Sequence, residues 1–430
     1  MAREAVAFDG FAVAERAVRL HYGWRGRRYT YRIEIRGRGL RPPDHALAFR
    51  VGLAFAPCLA GFLSPDRLVV RAGALTRNEA RTWERWYTVG LAEKCYRYGL
   101  PVGTRVQSAS GRRIPPLTAR TGRGALLMNG GGKDTAVAAE LLTRAGVHFR
   151  WLCLGDNRAQ RGVRMASGVS DVITVADGWE TDLPLSDFRF FGTAPLLLYY
   201  DLVGLMVAEM SGTRDLVVAN ERSADFGQLT YRGVVVNHQY TKSHGFEAEL
   251  ARFAREQLGS RVRFYSALRP LYELQIAAAF SRLPQYHPHF VSCNVGQTGG
   301  RCAWCGRCRK CAFTFLALHP FLEERHLVSI FGRNLLEDGG LLPTFLALAG
   351  LAGEKPFECV GIADEALAAV FLSRRGAGAP RVLRELRARV PAERLRAAAR
   401  TVMAGYERVT LVPEELRAPL EASWRALRRP

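Results

Sequence analysis

Long apolar runs are absent from this 430-residue sequence, and no stretch reaches the roughly 18 residues that a membrane-spanning helix requires. The N-terminal segment MAREAVAFDG also lacks the apolar core of a secretory signal. Both absences argue against a membrane or exported protein, and we therefore expect a cytoplasmic one. The length exceeds what a single hydrophobic core normally supports, so two or three domains are expected.

Lysine is scarce, since only five of the 61 basic residues are lysines: Lys94, Lys133, Lys242, Lys310 and Lys355. The formal charge of +21 is therefore carried almost entirely by arginine, and it is spread along the chain. Such a charge is compatible with anionic partners such as nucleotides, but it gives little support to nucleic-acid binding. Where arginine is so common, a lysine indicates a position that favours a compact ammonium group over a planar guanidinium.

A glycine-rich turn follows the short apolar segment Ala125–Met128 and precedes an alanine-rich segment that is typical of a helix. A strand, a glycine turn and a helix N-terminus in succession form a phosphate site, because backbone N–H groups and the helix dipole converge there. The residues of this predicted site are Gly130, Gly131, Gly132, Lys133, Asp134 and Thr135. A Walker loop has serine or threonine after its lysine, whereas this sequence has Asp134. A plain glycine turn before a helix is the alternative interpretation.

A second group of polar residues lies further along the chain: Asn220, Glu221, Ser223, His238, Tyr240 and Lys242. The first three follow a strand predicted at Asp215–Ala219, where an α/β enzyme places its binding loops. The last three lie in the segment NHQYTKS, directly after three valines, and this density of titratable groups is unusual for a surface loop. We interpret the group as a functional site. A solvent-exposed helix start, capped by Thr241 or Ser243, is the alternative.

Cysteine is concentrated in one segment, which holds five of the nine cysteines of the chain: Cys293, Cys302, Cys305, Cys308 and Cys311. Repeated C-x2-C spacing brings thiolates onto one tetrahedral ion, and a reducing cytoplasm disfavours disulfides. We therefore expect a structural zinc site, with an iron–sulfur cluster as the alternative. Two sets of four ligands fit the spacing, one without Cys302 and one without Cys311. We favour the first, because Cys302 lies in a glycine-rich turn, and its members are Cys293, Cys305, Cys308 and Cys311.

Strands and helices alternate from Gly124 to about Gln285, which predicts an α/β fold with a doubly wound parallel sheet and a site at the carboxyl ends of its strands. Residues 1–118 are expected to form an N-terminal α+β domain, with a β-hairpin within Ala17–Ile35 and a helix over Thr76–Tyr98. The α/β domain is expected over residues 119–286. Residues 287–430 are expected to contain the metal site and a mostly helical C-terminal region.

The glycine turn resembles the SGGKDS signature of the PP-loop ATP pyrophosphatases, with Gly130 at the first serine and Thr135 at the last. Together with the NERS and NHQYTKS segments and the late cysteine cluster, it resembles the UDP-N-acetylmuramoyl-L-alanyl-L-glutamate epimerase family over residues 120–320. The resemblance implies a PP-loop, adenine nucleotide alpha hydrolase-like fold that uses ATP and Mg²⁺. It also implies inversion of the terminal L-Glu of a UDP-muramoyl dipeptide to D-Glu in peptidoglycan precursor synthesis, with release of AMP and pyrophosphate.

The chemistry of this reaction suggests a role for each predicted site residue. Adenylation of the glutamate carboxylate removes its charge, so the electrons of the departing α-proton can spread into the carbonyl. We expect the turn at Gly130–Thr135 to hold the ATP phosphates, with Lys133 contacting them and Asp134 assisting Mg²⁺. Inversion needs groups on both faces of the carbon, and the candidates are His238, Tyr240 and Lys242. The residues expected to bind nucleotide or peptide are Asn220, Glu221, Ser223 and Glu247.

Two other functions are compatible with the sequence. The cysteine cluster also resembles that of 7-cyano-7-deazaguanine synthase, whose C-x8-C-x2-C-x2-C spacing corresponds to the set without Cys311. A PP-loop enzyme that modifies a nucleobase or tRNA, including by thiolation, is therefore the nearer alternative, although Cys153 lies within a predicted strand and argues against thiolation. The other is a zinc-containing RNA-binding protein without catalysis. For the leading function we expect a small-molecule substrate and neither a membrane nor a nucleic-acid partner.

Overall fold

One ten-stranded sheet organises the structure, a computed structural model that describes residues 5–63, 67–109, 111–118, 120–183, 195–297, 302–373 and 378–428. Its strands are β1 (Val6–Ala14), β2 (Ala17–Trp24), β3 (Arg27–Arg36), β4 (Arg67–Val70), β5 (Arg105–Ser108), β6 (Ala125–Met128), β7 (Phe149–Leu154), β8 (Val172–Trp179), β9 (Asp215–Val218) and β12 (Arg263–Ser266). The strands β10 (Leu229–Tyr231) and β11 (Val234–Val236) form a small separate hairpin. Their order across the sheet is β12-β9-β6-β7-β8-β3-β2-β1-β4-β5.

Helices cover both faces of this sheet. They are α1 (His45–Leu63), α2 (Arg77–Gly90), α3 (Ala92–Arg97), α4 (Lys133–Arg144), α5 (Arg158–Ser167), α6 (Leu196–Ser211), α7 (His244–Glu256), α8 (Glu273–Phe280), α9 (Arg309–Leu318), α10 (Glu324–Phe331), α11 (Leu342–Leu348), α12 (Ala363–Leu372), α13 (Arg381–Arg389), α14 (Ala392–Ala404) and α15 (Glu414–Arg428). Within the described part of the chain, none of these helices combines the length and apolarity that crossing a bilayer requires.

Two hydrophobic cores form because successive strand residues point to opposite faces of the sheet. Leu127 of β6 packs in the core that contains α4, α8, α9 and the C-terminal helices. Its neighbour Leu126 packs in the core that contains α1, α2, α6 and α7. The central strand β6 is therefore apolar on both faces, as is typical of a buried parallel strand.

Five strands, β12-β9-β6-β7-β8, run parallel to one another. The chain builds outward from β6 through β7 to β8, then returns to the other side of β6 to form β9 and β12. The sheet is thus wound in both directions, and the order reverses between β6 and β9. The predicted α/β class with a largely parallel sheet is confirmed. A crevice is expected at the carboxyl ends of β6 and β9, where the winding reverses.

The N-terminal strands continue this sheet. The predicted hairpin is confirmed as β2 and β3, joined by Arg25 and Gly26, whose φ angles of 50° and 73° suit a tight turn of right-handed twist. Strand β3 pairs with β8 in antiparallel register, with Tyr31 opposite Trp179. Residues on both sides of the boundary expected at residue 118 therefore share one sheet.

The helix predicted over Thr76–Tyr98 is present as two helices. Thr76 caps α2 with its side chain, and Glu79 bonds back to the backbone N–H of Thr76, which completes a capping box. Helix α2 ends at Gly90, and α3 begins at Ala92. This break is where Gly90 and Glu93 line a cavity at the end of the parallel strands.

Candidate functional site

A cavity of about 630 Å³ opens at the carboxyl ends of β6 and β9, where the winding of the sheet reverses. Open α/β sheets bind their ligands at this position. The predicted site residues that line the cavity are Gly130, Gly132, Asp134, Thr135, Asn220, His238, Tyr240 and Lys242. Two groups of residues that lie about a hundred positions apart in the sequence thus face one space.

The glycine-rich turn is held by hydrogen bonds to neighbouring side chains. The N–H of Gly131 donates to Asn129 Oδ1 at 2.9 Å, and the N–H of Gly130 donates to Thr135 Oγ1 at 3.2 Å. Helix α4 begins directly after Gly132, which has no side chain to cap it. The first backbone N–H groups of α4 therefore meet the cavity as an anion site with a partial positive charge.

Of the three glycines, Gly131 is required by its positive φ and by the atoms close to it, whereas a Cβ atom at Gly132 would meet mainly the hydroxyl of Ser292, which can rotate. A Cβ atom at Gly131, whose φ is +73°, would lie 2.8 Å from the Cβ of Ala159. A Cβ atom at Gly132 would lie 2.6 Å from Ser292 Oγ. A Cβ atom at Gly130, in contrast, would meet nothing closer than 3.8 Å. The serine found at this position of the PP-loop signature would fit here, so Gly130 is not a steric requirement.

Lys133 lies beneath the turn and is 2 % exposed. Its Nζ is 2.5 Å from Asp134 Oδ1 and 3.0 Å from Glu273 Oε1. Burial by itself would lower the pKa of Lys133, but the charges of Asp134 and Glu273 outweigh it, so the pKa is raised. The side chain is therefore an ammonium ion that joins the start of α4 to the start of α8.

Glu273, which sequence reasoning missed, is the first residue of α8. Burial raises its pKa, and the charge of Lys133 opposes that rise. Because Lys133 Nζ is 3.0 Å away, we assign the pair as ammonium and carboxylate. A single buried glutamate at a helix start carries no motif, so only the fold reveals it. Asp134, in contrast, faces the cavity. Burial would raise its pKa, but Lys133 and Lys242 outweigh burial and lower it, so Asp134 is a carboxylate that can ligate a divalent cation.

The NERS segment supports the site more than it lines it. Of its residues, Asn220 faces the cavity. Glu221 is buried, with Oε2 3.6 Å from Lys242 Nζ, and Ser223 Oγ accepts the N–H of Glu273 at 3.2 Å. Glu247 is also buried and binds Arg269 at 2.7 Å. Glu221 thus pairs with Lys242, which lines the cavity, and Glu247 pairs with Arg269, which is fully buried.

His238 lies between a carboxylate and a thiol. Its Nδ1 is 2.7 Å from Glu93 Oε2, and the other Glu93 oxygen is 2.7 Å from Arg97 Nη2. A ring nitrogen of His238 also lies within 4.8 Å of the Cys359 sulfur. Burial would lower the pKa of His238, but the neighbouring Cys359 and Glu93 side chains outweigh burial and raise it to about 9.

Cys359 lines the same cavity, between α11 and α12. Burial would raise the pKa of its thiol, but the charges of Lys242 and Lys310 and the neighbouring His238 outweigh burial and lower it to about 7. Sequence reasoning missed Cys359 and Glu93. Glu93 lies in an ordinary amphipathic helix, and Cys359 stands apart from the cysteine cluster, so neither carried a local signal.

The other two candidates for proton transfer keep their protons at neutral pH. Burial raises the pKa of Tyr240. Burial would lower the pKa of Lys242, but the charges of Glu221 and Cys359 outweigh burial and raise it. Tyr240 is therefore a phenol and Lys242 an ammonium ion in the cavity wall, and both act as donors there.

The sulfur atoms of Cys293, Cys305, Cys308 and Cys311 lie within 4.8 Å of one another. The separations between Cys293 and Cys308, Cys305 and Cys311, and Cys308 and Cys311 are 3.7, 3.7 and 3.5 Å. Tetrahedral zinc with Zn–S bonds of about 2.3 Å places its sulfurs about 3.8 Å apart. This group is the favoured set, it can hold a metal ion, and Cys302 lies outside it.

The cysteine cluster also shapes the cavity. Ser292 and Lys310 line the cavity, and each directly precedes a cysteine of the group. A metal ion there would fix both side chains in the cavity wall. Four thiolate ligands leave no open coordination position for a substrate.

Replacing Cys311 by serine is expected to remove one bound zinc per chain, whereas Cys302→Ser should retain it. The reason is that Cys311 belongs to the clustered set and Cys302 does not. Elemental analysis of protein dialysed against a chelator measures the metal and its identity. Zinc lost from Cys302→Ser and retained in Cys311→Ser would instead support the other ligand set.

Known proteins resemble this chain over most of its length. Residues 11–267 match the family described as the MurL N-terminal domain, and residues 289–401 match the MurL C-terminal domain. A UDP-N-acetyl-alpha-D-muramoyl-L-alanyl-L-glutamate epimerase of Salinispora tropica is 35% identical over 318 residues, which are 72% of this chain and 69% of that protein. Proteins of the same name from Xanthomonas oryzae pv. oryzae and a Micromonospora species are 32% and 33% identical, over 71% and 72% of this chain and 69% and 70% of theirs. The resemblance drawn from the motifs is confirmed, and the chain belongs to the MurL family of UDP-N-acetylmuramoyl-L-alanyl-L-glutamate epimerases.

Proposed function

We propose that this protein inverts the terminal L-Glu of UDP-N-acetylmuramoyl-L-alanyl-L-glutamate to D-Glu, using ATP and Mg²⁺ and releasing AMP and pyrophosphate. The product is a precursor of peptidoglycan. Beyond family membership, the observation that carries the proposal is one shared cavity. Its wall contains both a helix start suited to an anion and a thiol and an imidazole whose pKa values are shifted to about 7 and about 9.

The anion-binding part suits the phosphates of ATP. The turn Gly130–Gly132 and the first N–H groups of α4 approach the phosphates in a PP-loop fashion, and Asp134 ligates Mg²⁺ at the cavity surface. Lys133 strengthens the positive potential from below while it keeps Asp134 in place. In this role Lys133 acts through its charge and not through direct contact with the cavity.

Activation is what makes inversion possible. A free glutamate carboxylate holds a negative charge beside the α-carbon, so removal of the α-proton would place two negative charges on one small group. Adenylation neutralises the carboxylate and lets the enolate charge spread into the carbonyl oxygen. The ammonium groups of Lys242 and Lys310 in the wall stabilise that developing charge. Hydrolysis of the adenylate then releases AMP and makes the inversion irreversible.

Zinc at the four clustered cysteines completes the proposal as a structural ion. Thiolate ligands and ATP are both suited to the reducing cytoplasm, where we expect the reaction to occur. The cavity volume lies within the range of about 300–1,000 Å³ that is common for small-molecule sites. We therefore expect the glutamyl end and the adenylate to occupy it, with the sugar nucleotide extending outward.

The test is incubation of the purified protein with ATP, Mg²⁺ and UDP-N-acetylmuramoyl-L-alanyl-L-glutamate, followed by acid hydrolysis and chiral separation of the glutamate. We expect D-Glu and AMP to accumulate in equal amounts. Formation of AMP without D-Glu would support activation of the carboxylate but would contradict inversion. If neither product forms from this peptide, but AMP and a modified base form when a nucleobase or tRNA is supplied, the nucleobase alternative would replace the proposal.

A further inference from the structure

Three distant segments of the chain meet at one wall of the cavity. Glu93 comes from α3, His238 follows β11, and Cys359 lies between α11 and α12. Their side chains lie in series: Arg97 binds Glu93, Glu93 binds His238, and a ring nitrogen of His238 lies within 4.8 Å of the Cys359 sulfur. The phosphate-binding turn explains none of these contacts, so this wall has a separate task.

The charges around the thiol favour its ionised form. Lys242 and Lys310 are the lysines that lower the pKa of Cys359 most, the imidazole of His238 also lowers it, and Lys355 is a further basic group that interacts with the thiol. The carboxylate of Glu93 in turn favours a protonated ring at His238. The acidic neighbour Glu358 bonds to Asn294 and to the backbone N–H of Cys359, and one of its carboxylate oxygens lies within 4.8 Å of the Cys359 sulfur and of a His238 ring nitrogen. A thiolate beside an imidazolium is therefore the stable pair near pH 8, as in other activated cysteines.

We propose that the Cys359 thiolate is the base that removes the α-proton of the activated glutamyl group, with His238 and Glu93 as positioning residues that keep it ionised. This assignment rests on the proposed function. The Cα–H bond breaks, an S–H bond forms, and the electron pair enters the enolate of the adenylated carboxyl group. Lys242 returns a proton to the other face of Cα and becomes an amine. The thiol then passes its proton to that amine through cavity water, which restores both groups.

The first experiment needs no substrate and therefore does not depend on the proposed function. The full-length protein is treated with iodoacetamide across a pH series, and modification of the Cys359 peptide is measured by mass spectrometry. We expect half-maximal reactivity near pH 7, as the lowered pKa of Cys359 requires. In His238→Asn and Glu93→Gln the midpoint should rise by about one pH unit or more, towards the value of about 8.5 for a free thiol.

His244→Asn is the matched control, because His244 belongs to the same segment but is not part of the cavity wall. Its midpoint should equal that of the unsubstituted protein. A midpoint near pH 8.5 in the unsubstituted protein, or one that His238→Asn leaves unchanged, would overturn the positioning role. A merely structural contribution of His238 would not move a titration midpoint in a protein that stays folded.

The second experiment follows the reaction in D₂O. The unsubstituted protein should form D-Glu with deuterium at Cα, whereas Cys359→Ser should form AMP but exchange the α-proton about 10²–10⁴-fold more slowly. Inversion at an unchanged rate in Cys359→Ser would overturn the proposal. A substrate-sized mass addition on Cys359 would also overturn the proposal, because it would identify Cys359 as a nucleophile. A second bound metal ion that is lost in Cys359→Ser would overturn it as well, because it would identify Cys359 as a metal ligand. If the unsubstituted protein formed neither AMP nor D-Glu, the proposed function itself would be rejected. The result of the thiol titration would still stand.

Discussion

Asp134→Asn is expected to abolish AMP formation, with a fall of about 10²–10³-fold or more in its rate, equivalent to about 2.7–4 kcal/mol. Asp134 is the carboxylate that faces the cavity at the start of α4, and nearby lysines keep its pKa low. An amide has no charge with which to hold Mg²⁺ against the phosphates. It also removes one of the two carboxylates that hold Lys133. The effect is measured by quantifying pyrophosphate and AMP with ion-exchange chromatography.

Asp156→Asn is the matched control for this substitution. Asp156 follows the neighbouring strand β7, is exposed, and pairs with Arg161 outside the cavity wall. The control should form AMP at the normal rate. Because Asp134→Asn also changes a buried ion pair, the thermal unfolding midpoints of both variants should be compared. A folded Asp134→Asn protein that still makes AMP at the normal rate would remove Asp134 from the nucleotide site.

His238→Ala is expected to do the opposite, because it should slow D-Glu formation and spare AMP formation. We expect inversion near neutral pH to slow by about tenfold, because without the imidazole the midpoint of the Cys359 thiol rises by about one pH unit or more and less thiolate is present. The acyl-adenylate would still form at the glycine turn and would hydrolyse to return L-Glu. Chiral separation of the glutamate, alongside AMP quantification in the same reaction, measures the two effects separately. Equal loss of both products would show that His238 serves ATP binding or folding instead.

The pH dependence of stability provides an independent check on His238. Its pKa is raised in the folded protein from 6.5 to about 9, so the folded state binds the proton more tightly than the unfolded state. The interactions of the imidazolium therefore stabilise the fold fully below pH 6.5 and are lost as the pH rises through 9. The difference in unfolding free energy between the unsubstituted protein and His238→Ala should be larger at pH 6 than at pH 10, as measured in urea.

Local features were predictable from sequence because neighbouring residues determine them. The hairpin of β2 and β3 depends on alternating side chains and a short glycine-containing turn. The phosphate turn depends on glycines directly before a helix start. The cysteine cluster depends on spacing within one short segment. In each case the interacting atoms belong to residues that the chain keeps close, so a pattern of a few letters carries the information.

The partners of these features were not predictable, since they come from remote segments. Glu273 reaches Lys133 across 140 positions of sequence, and Glu93 reaches His238 across 145. The cavity wall also explains the rare lysines in part. Lys242 and Lys310 line the cavity, and Lys133 lies directly beneath it. The preference for lysine suggested a site but not which charges each ammonium group would meet.

The sequence by itself determined the family, the glycine turn before a helix, the cysteines that cluster in the structure and the mainly parallel α/β sheet, because each depends on short-range spacing or on periodicity. Only the tertiary structure decided that β3 joins β8 in one continuous sheet and that Glu93, His238 and Cys359 face one cavity. The physical reason is that hydrogen bonding between strands and the ionisation of buried groups depend on which surfaces the fold brings together. The pKa values of the thiol and the imidazole, and with them the proposed base, are properties of that packing.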